Sequence, residues 1–236
     1  MPSGSYKVLS NERISNDNMW VMKVAGDFKA AAGQFFMLRA WDKYPVLSRP
    51  ISVHDLGDGY IAFMYRVVGE GTKILSNLAK GDDITLAGPY GNGFPLDLKG
   101  KIALIGGGMG VAPLLWTAKQ LDKPDVYLGF REEVLLENEY RAAAGRLVTR
   151  IGGTILDDVD YDAYDYVFAC GPLGMEKALA NMAKGRKAKV YVSLEKHMAC
   201  GMGACLVCTC FTGKGNKKVC KDGTVFLAEE VLFDEL

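Results

Sequence analysis

The stretch Ile102-Ala103-Leu104-Ile105-Gly106-Gly107-Gly108-Met109-Gly110-Val111-Ala112-Pro113 sets an unbroken apolar run against consecutive glycines and then a sequence able to open a helix. A continuous apolar run suits a strand buried on both faces, as in a parallel sheet covered by helices. Gly-rich backbone between such a strand and a helix is where a dinucleotide pyrophosphate would rest, because N–H groups there point at the anion. Pro113 fits a helix start, where a missing N–H costs little. The run departs from the Gly-x-Gly-x-x-Gly fingerprint, since Val111 takes the last glycine position.

Toward the C-terminus the same alternation continues. A helical stretch from about Ala112 to Leu121 precedes strand-like Asp125–Phe130, a second helical stretch, strand-like Tyr166–Ala169, helical Met175–Met182 and strand-like Lys189–Leu194. This pattern predicts an α/β domain with a parallel sheet over residues 99–193. Before it, short β-like runs at Tyr6–Leu9, Met19–Val24, Gln34–Arg39, Tyr60–Arg66 and Asp83–Ala87 are broken by Gly, Asp, Asn and Pro. They predict a small antiparallel β-barrel over residues 1–98, although periodicity alone serves a β-sandwich equally well. Residues 194–236 form a third, Gly- and Cys-rich region. Neither an internal repeat nor a low-complexity linker is present.

The 236 residues carry 28 Lys plus Arg against 28 Asp plus Glu, so the basic footprint that nucleic-acid phosphates demand is missing. No segment offers about 18 uninterrupted apolar residues and no export signal precedes Ser10, so a cytoplasmic protein without a membrane partner is expected. Four of the six cysteines crowd into Cys200–Cys210, which points to metal ligation rather than disulfides.

Cys200-x4-Cys205-x2-Cys208, followed after eleven residues by Cys220, has the plant-type ferredoxin spacing for a 2Fe-2S cluster. Gly201 and Gly203, with the small Ala199 and Ala204, would let the loop wrap an inorganic core with inward-facing amides. A four-cysteine zinc site and a set of inert thiols are the alternatives, though structural zinc usually shows two close-spaced pairs. Cys210 shares a side with Cys208 in an extended segment and competes with Cys220 as fourth ligand. Cys220 is preferred because a distant ligand encloses the cluster better. His54 and His197, the two histidines, are read as hydrogen-bonded or exposed residues and not as ligands.

Leu47-Ser48-Arg49-Pro50-Ile51-Ser52 resembles the Arg-x-x-Ser flavin signature of the ferredoxin reductase family. The resemblance implies a barrel strand with Arg49 on the FAD pyrophosphate and Ser52 beside the reactive ring nitrogen; Ile51 stands where that family often has Tyr. Met64-Tyr65-Arg66 resembles the family's second flavin strand, and Gly71-Thr72 its phosphate turn, with Thr72 expected as N-cap. Gly88-Pro89-Tyr90-Gly91-Asn92-Gly93-Phe94 is similar to the segment closing the flavin domain. Gly106, Gly107, Gly108, Gly110 and Pro113 match its Gly-Gly-Gly-x-Gly-x-Ala-Pro run, and Cys170-Gly171-Pro172 its Cys-Gly-Pro beside the nicotinamide. Cys170 is expected near hydride transfer without acting as a nucleophile, and no residue is assigned as a general acid or base. Glu132 and Glu133 disfavour a 2′-phosphate while Arg131 pulls the other way, so NAD is preferred over NADP.

The order barrel, nicotinamide domain, cluster loop, with Lys218-Val219-Cys220-Lys221-Asp222-Gly223, resembles the electron-transfer subunits of type B dihydroorotate dehydrogenases from about residue 5 to 230. That family implies FAD, a 2Fe-2S cluster and NAD as cofactors. It also implies an FMN-containing catalytic partner subunit, a heterotetramer of two plus two, and a place in pyrimidine biosynthesis. The three regions leave no room for an organic substrate pocket. The equivalent subunit of another NAD(P)-dependent reductase, linked to ferredoxin, sulfide or hydrogenase, shares this internal chemistry, and a zinc-stabilised binding module is the reading from another class. Purified anaerobically, the protein should be brown-yellow, with flavin absorbance and about two irons and two labile sulfides per chain; stoichiometric zinc without iron would end the cluster assignment.

Overall fold

The computed structural model describes residues 3–236; Met1 and Pro2, which the expected 1–98 boundary includes, lie outside the described residues. Strands β1 (Ser3–Arg13), β2 (Met19–Ala25), β3 (Phe35–Arg39), β4 (Arg49–Gly57), β5 (Tyr60–Arg66) and β6 (Asp83–Tyr90) close a barrel in the order β1-β2-β5-β4-β3-β6. In β6 buried residues alternate with exposed ones, the period-2 pattern of a strand with one face inward. Met22, Val24, Leu38, Ile61, Phe63 and Ile84 fill the interior, and closure leaves no unpaired edge. Helix α1 (Glu70–Ser76) follows β5. Thr72 is not its N-cap, contrary to expectation. Gly69 is the cap, and Thr72 reaches back so that its Oγ1 accepts from the Val68 and Gly69 amides at 3.0 and 3.2 Å and donates to the Gly69 carbonyl. A hydroxyl at the third helical position thus reaches back to the N-cap amide, the half of a capping box that the N3 side chain supplies.

The second sheet has the order β14-β11-β10-β7-β8-β9. Its parallel members are β7 (Ile102–Gly107), β8 (Asp125–Phe130), β9 (Arg146–Ile151), β10 (Tyr166–Cys170) and β11 (Lys189–Ser193). Every residue of β7 is buried, as its unbroken apolar run requires. Helices α2 (Val111–Lys119), α3 (Glu137–Ala143) and α4 (Leu173–Met182) flank it, α2 ending two residues short of the expected Leu121. The chain turns back between β7 and β10, the switch point at which doubly wound sheets bind ligands. Beyond them lie β12 (Thr209–Cys210), β13 (Lys217–Lys218), α5 (Val219–Asp222) and β14 (Val225–Leu227). Strand β14 pairs antiparallel with β11, so the parallel-sheet unit extends past the boundary expected at residue 193. With three residues β14 is too short to show periodicity, and β9 mixes Arg and Thr with its apolar residues; neither stood out in the sequence.

Two joints tie these parts together. Helix α2 lies against β4: His54 Nδ1–H donates to the Ala112 carbonyl at 2.7 Å, and Lys119 Nζ reaches both Asp55 carboxylate oxygens at 2.8 Å. Trp116 Nε1–H donates to the Ala30 carbonyl of the barrel at 3.2 Å. At the other joint, Asn92 donates to the Asp222 and Val225 carbonyls at 3.2 and 2.9 Å and accepts from the Val225 amide at 2.9 Å. Among the described residues no helix is long and apolar enough to cross a membrane.

Burial holds the His54 imidazole below its ordinary titration range, against a smaller opposing effect of the Ala112 carbonyl bond. The unfolded chain therefore takes up this proton first as pH falls, and the stability tied to neutral His54 is lost on descending through about pH 6.5. Denaturant unfolding at a series of pH values should show that decline, and His54→Gln should flatten it; an equal slope in the variant would remove His54 from the joint's acid sensitivity.

Candidate functional site: two joined clefts and a cysteine loop

A cleft of about 900 Å³ opens between the barrel and the parallel sheet. Its barrel wall contains Arg49, Pro50, Ile51 and Ser52 from β4, Met64, Tyr65 and Arg66 from β5, and Thr72. Pro113 and Cys170 line the opposite wall. A second cleft of about 260 Å³ adjoins it, with Gly107, Gly108, Gly110, Gly171 and Pro172 in its floor. The sequence-derived candidates thus converge, with qualifications at three positions. The Tyr65 ring points into the barrel core, where its hydroxyl donates to Asn11 Oδ1 at 2.9 Å. Gly106 lies under Leu114 and Leu128, each 3.0 Å from where a Cβ would stand, and serves packing. Gly71 touches the site through Arg49: a Cβ there would sit 2.5 Å from the guanidinium Nε.

That approach makes a cradle in which Arg49, resting on glycine backbone next to Thr72, can present its fork to a phosphate. Trp41 lies over the same guanidinium, 5.4 Å from ring centroid to Cζ. Arg66 pairs with Asp17 at 2.7 Å, while its Nε is the buried side-chain polar atom left without a partner among the described residues. Arg66 lines both clefts, and a guanidinium there with a donor still unused suits an anionic dinucleotide.

Where the clefts meet, the chemistry is acidic and dry. Burial raises the Cys170 thiol well above its usual range, helped by the Glu195 and Glu176 charges, so the thiol stays protonated; its Sγ lies 3.7 Å from the Ser193 carbonyl. Burial likewise pushes Glu176 up, against the Gly171 amide that it accepts at 3.3 Å, and burial raises Glu195. A protonated buried thiol is a poor nucleophile. Glu132 and Glu133 line the smaller cleft with Arg131, and Glu133 Oε1 accepts from the Asn16 amide at 3.1 Å.

Sequence reading passed over Met109, Glu195 and Asp17. Met109 and Glu195, like Arg66, line both clefts. Glu195 follows the carboxyl end of β11, the end of a parallel strand where ligands gather, and that position was the available signal. Asp17 sits in the β1–β2 turn, whose place beside the smaller cleft is a matter of long-range packing.

Beside the larger cleft, the cysteine loop presents its sulfurs as two pairs. The Cys205 amide donates to Cys200 Sγ at 3.4 Å, and the Cys220 amide to Cys208 Sγ at 3.4 Å. The Gly203 amide donates to Cys220 Sγ at 3.0 Å, and Gly201 and Gly203 adopt the positive φ values of +70° and +83° that bring these amides inward. Although burial opposes it, backbone amides and the Cys205 thiol lower Cys200 to about 6. Burial and the neighbouring Cys208 thiol push Cys220 up to about 12. Cys220 thus holds its proton until a cationic core binds, and metal binding releases it. Among the described residues no three His, Cys, Asp or Glu side chains gather as a site for one ion; two pairs suit a core with two irons. Cys220 and Cys208 are buried and Cys205 exposed. Cys210 is fully buried among apolar residues, its thiol raised by that burial, and no bond links it to the other sulfurs.

Comparison with known proteins gives consistent results. Residues 195–232 match the family model described as the iron-sulfur cluster binding domain of dihydroorotate dehydrogenase B. The electron transfer subunit of dihydroorotate dehydrogenase B (NAD(+)) from Clostridium acetobutylicum is 42% identical, covering 97% of this chain and 97% of its own length. The counterpart from Clostridium perfringens is 40% identical over 92% and 93%. Among solved structures, one chain of an NADH-dependent reduced ferredoxin-NADP oxidoreductase superposes with a TM-score of 0.89 at 27% identity, covering 98% of this chain and 91% of that one.

The two candidate fourth ligands separate by mutation. Cys220→Ser should lose most of the iron and sulfide, whereas Cys210→Ser should keep both and cost about 1–3 kcal/mol of stability, the penalty of placing a hydroxyl among apolar residues. Metal and sulfide analysis of both variants decides it, and the reverse pattern would move the ligand to Cys210.

Proposed function

Because the chain belongs to the family of electron transfer subunits of NAD+-linked dihydroorotate dehydrogenase B, we propose that it carries electrons between NAD(H) and an FMN-containing catalytic subunit, in the service of pyrimidine biosynthesis. FAD and a 2Fe-2S cluster are its cofactors, with the flavin supplying the conversion between hydride chemistry and one-electron transfer. The observation that carries this reading is the sharing of Arg66, Met109 and Glu195 by both clefts, which makes one continuous room for two dinucleotides end to end.

In this assignment Arg49, Thr72 and the Gly71 backbone hold the FAD phosphates, and Pro50, Ile51, Ser52 and Met64 form the wall along the ring. Gly107, Gly108 and Gly110 receive the NAD pyrophosphate at the start of α2, while Arg66 supplies positive charge to both nucleotides. Gly171 and Pro172, braced by Glu176 from behind, place the nicotinamide over Cys170. The protonated Cys170 thiol adds no fixed charge where hydride passes. Glu132, with Glu133 engaged by the Asn16 amide, supports NAD over NADP. Cys200, Cys205, Cys208 and Cys220 hold the cluster. Residues 1–98 serve the flavin, 99–193 the nicotinamide and 194–236 the cluster, the last lending one strand to its neighbour.

The same architecture in the ferredoxin-NADP oxidoreductase neighbour makes a reductase with another partner the second reading. Purified alone, the chain should oxidise NADH with an artificial dye and leave dihydroorotate untouched. Adding the FMN subunit should yield a complex, two of each chain, that oxidises dihydroorotate with NAD+. Turnover of dihydroorotate by the lone chain, or failure of the FMN subunit to bind it, would refute the assignment.

A further inference from the structure

The segment Gly88-Pro89-Tyr90-Gly91-Asn92-Gly93 lines neither cleft and contributes no thiol, yet it touches all three parts of the molecule. Tyr90 ends β6 and pairs across the ladder with Phe35 of β3. Their rings lie 5.7 Å apart, tilted by 36°. Both are almost fully buried, and Phe35 is part of the wall of the larger cleft. The Tyr90 ring also meets the cysteine loop, since a Cβ on Gly201 would stand 3.4 Å from Tyr90 Cε2 and 3.1 Å from Met37 Cγ. Gly91 packs so tightly on the chain beyond Cys220 that a Cβ would come within 2.6 Å of the Gly223 carbonyl oxygen. Asn92 then holds residues 222–225 by its three side-chain bonds.

An ordinary core tyrosine would account for the burial and the ring pair. It does not account for a ring in contact with both a residue of the larger cleft's wall and the cysteine loop, beside an asparagine that clamps the chain just after a ligand. We propose that Tyr90 and Asn92 are positioning residues for electron transfer: Asn92 fixes the chain that follows Cys220, and the Tyr90–Phe35 ring pair sets the spacing between the cysteine loop and the flavin cleft. The proposal rests on the function assigned above. In the step concerned, reduced flavin gives up one electron and one ferric iron becomes ferrous; the flavin proton leaves to solvent, and no bond to the protein forms or breaks.

The test uses the full chain loaded with FAD and cluster, mixed anaerobically with NADH while flavin and cluster absorbance are followed separately. Tyr90→Leu should reduce dye at a rate within about twofold of wild type, because no cleft residue changes, but deliver electrons to the cluster about tenfold or more slowly, the order expected when a small misplacement alters a reacting geometry. The EPR line shape of its reduced cluster should also change, and Tyr90→Phe should restore both rate and spectrum. If Tyr90→Leu is short of iron, Tyr90→Met, which preserves most of the volume without the ring, takes its place. Wild-type cluster reduction in a fully loaded variant without the ring overturns the proposal. So does loss of iron from both such variants while Tyr90→Phe keeps it, since that would make the ring purely structural. A wild-type chain that binds neither flavin nor cluster refutes the function itself, and so is told apart from failure of this inference.

Discussion

The packing of α2 on β4 is the contact from which the site derives. One helix carries the glycine turn of the smaller cleft at its start and the Ala112–Pro113 wall of the larger one, so its placement fixes both at once. Three polar contacts along its length hold it: the His54 ring at the first turn, Trp116 toward Ala30, and the Lys119–Asp55 pair at the end. Such contacts are directional where apolar packing is not, so they select one orientation of the barrel against the sheet. Neutral His54 suits the place, because desolvation of a charged ring there outweighs the Ala112 carbonyl and the Asp55 charge that would favour it.

Charge is laid out along the site so that little of it is left buried and unpaired. Guanidinium groups stand where phosphates are assigned, and one keeps an unused donor until a ligand comes. At the junction of the clefts the Cys170 thiol and the Glu176 carboxyl are held toward their neutral forms by burial. At the cysteine loop, backbone amides rather than cationic side chains face the sulfurs. Each device meets the same requirement by a different route, since an isolated ion in low dielectric costs several kcal/mol or more.

Much of this was legible in the sequence for local reasons. The unbroken apolar run before Gly106 could only be a strand covered on both faces, and the cysteine spacing constrains a loop whatever surrounds it. Arg49 and Ser52 fall three residues apart on one strand and reach the same cleft. What the sequence hid depends on partners distant along the chain. Glu195 has no local mark beyond its position after a strand, Asp17 gains meaning only through Arg66, and Asn92 only through residues 222–225. Thr72 was placed wrongly as a cap because a hydroxyl reading back from the third helical position leaves the same signature as one reading forward. The Met64-Tyr65-Arg66 motif does not tell which side chains turn inward, and strand alternation sends the Tyr65 ring into the barrel core while its residue still lines the larger cleft.

The antiparallel pairing of β14 with β11 bears on how such proteins can be recombined. A cluster-bearing segment that also supplies a sheet edge is not a detachable cassette. Cutting the chain at residue 193 and fusing the first two units elsewhere would expose the Lys189–Ser193 edge, with its free amides and carbonyls, to any passing strand. It would also leave Asn92 with three unmet hydrogen bonds in the barrel. A graft of the segment onto a two-domain reductase lacking it would in turn need a vacant edge beside the fifth parallel strand and an asparagine-like clamp at the barrel's end. Domain shuffling in this architecture is therefore limited less by the metal ligands than by the strand that follows them.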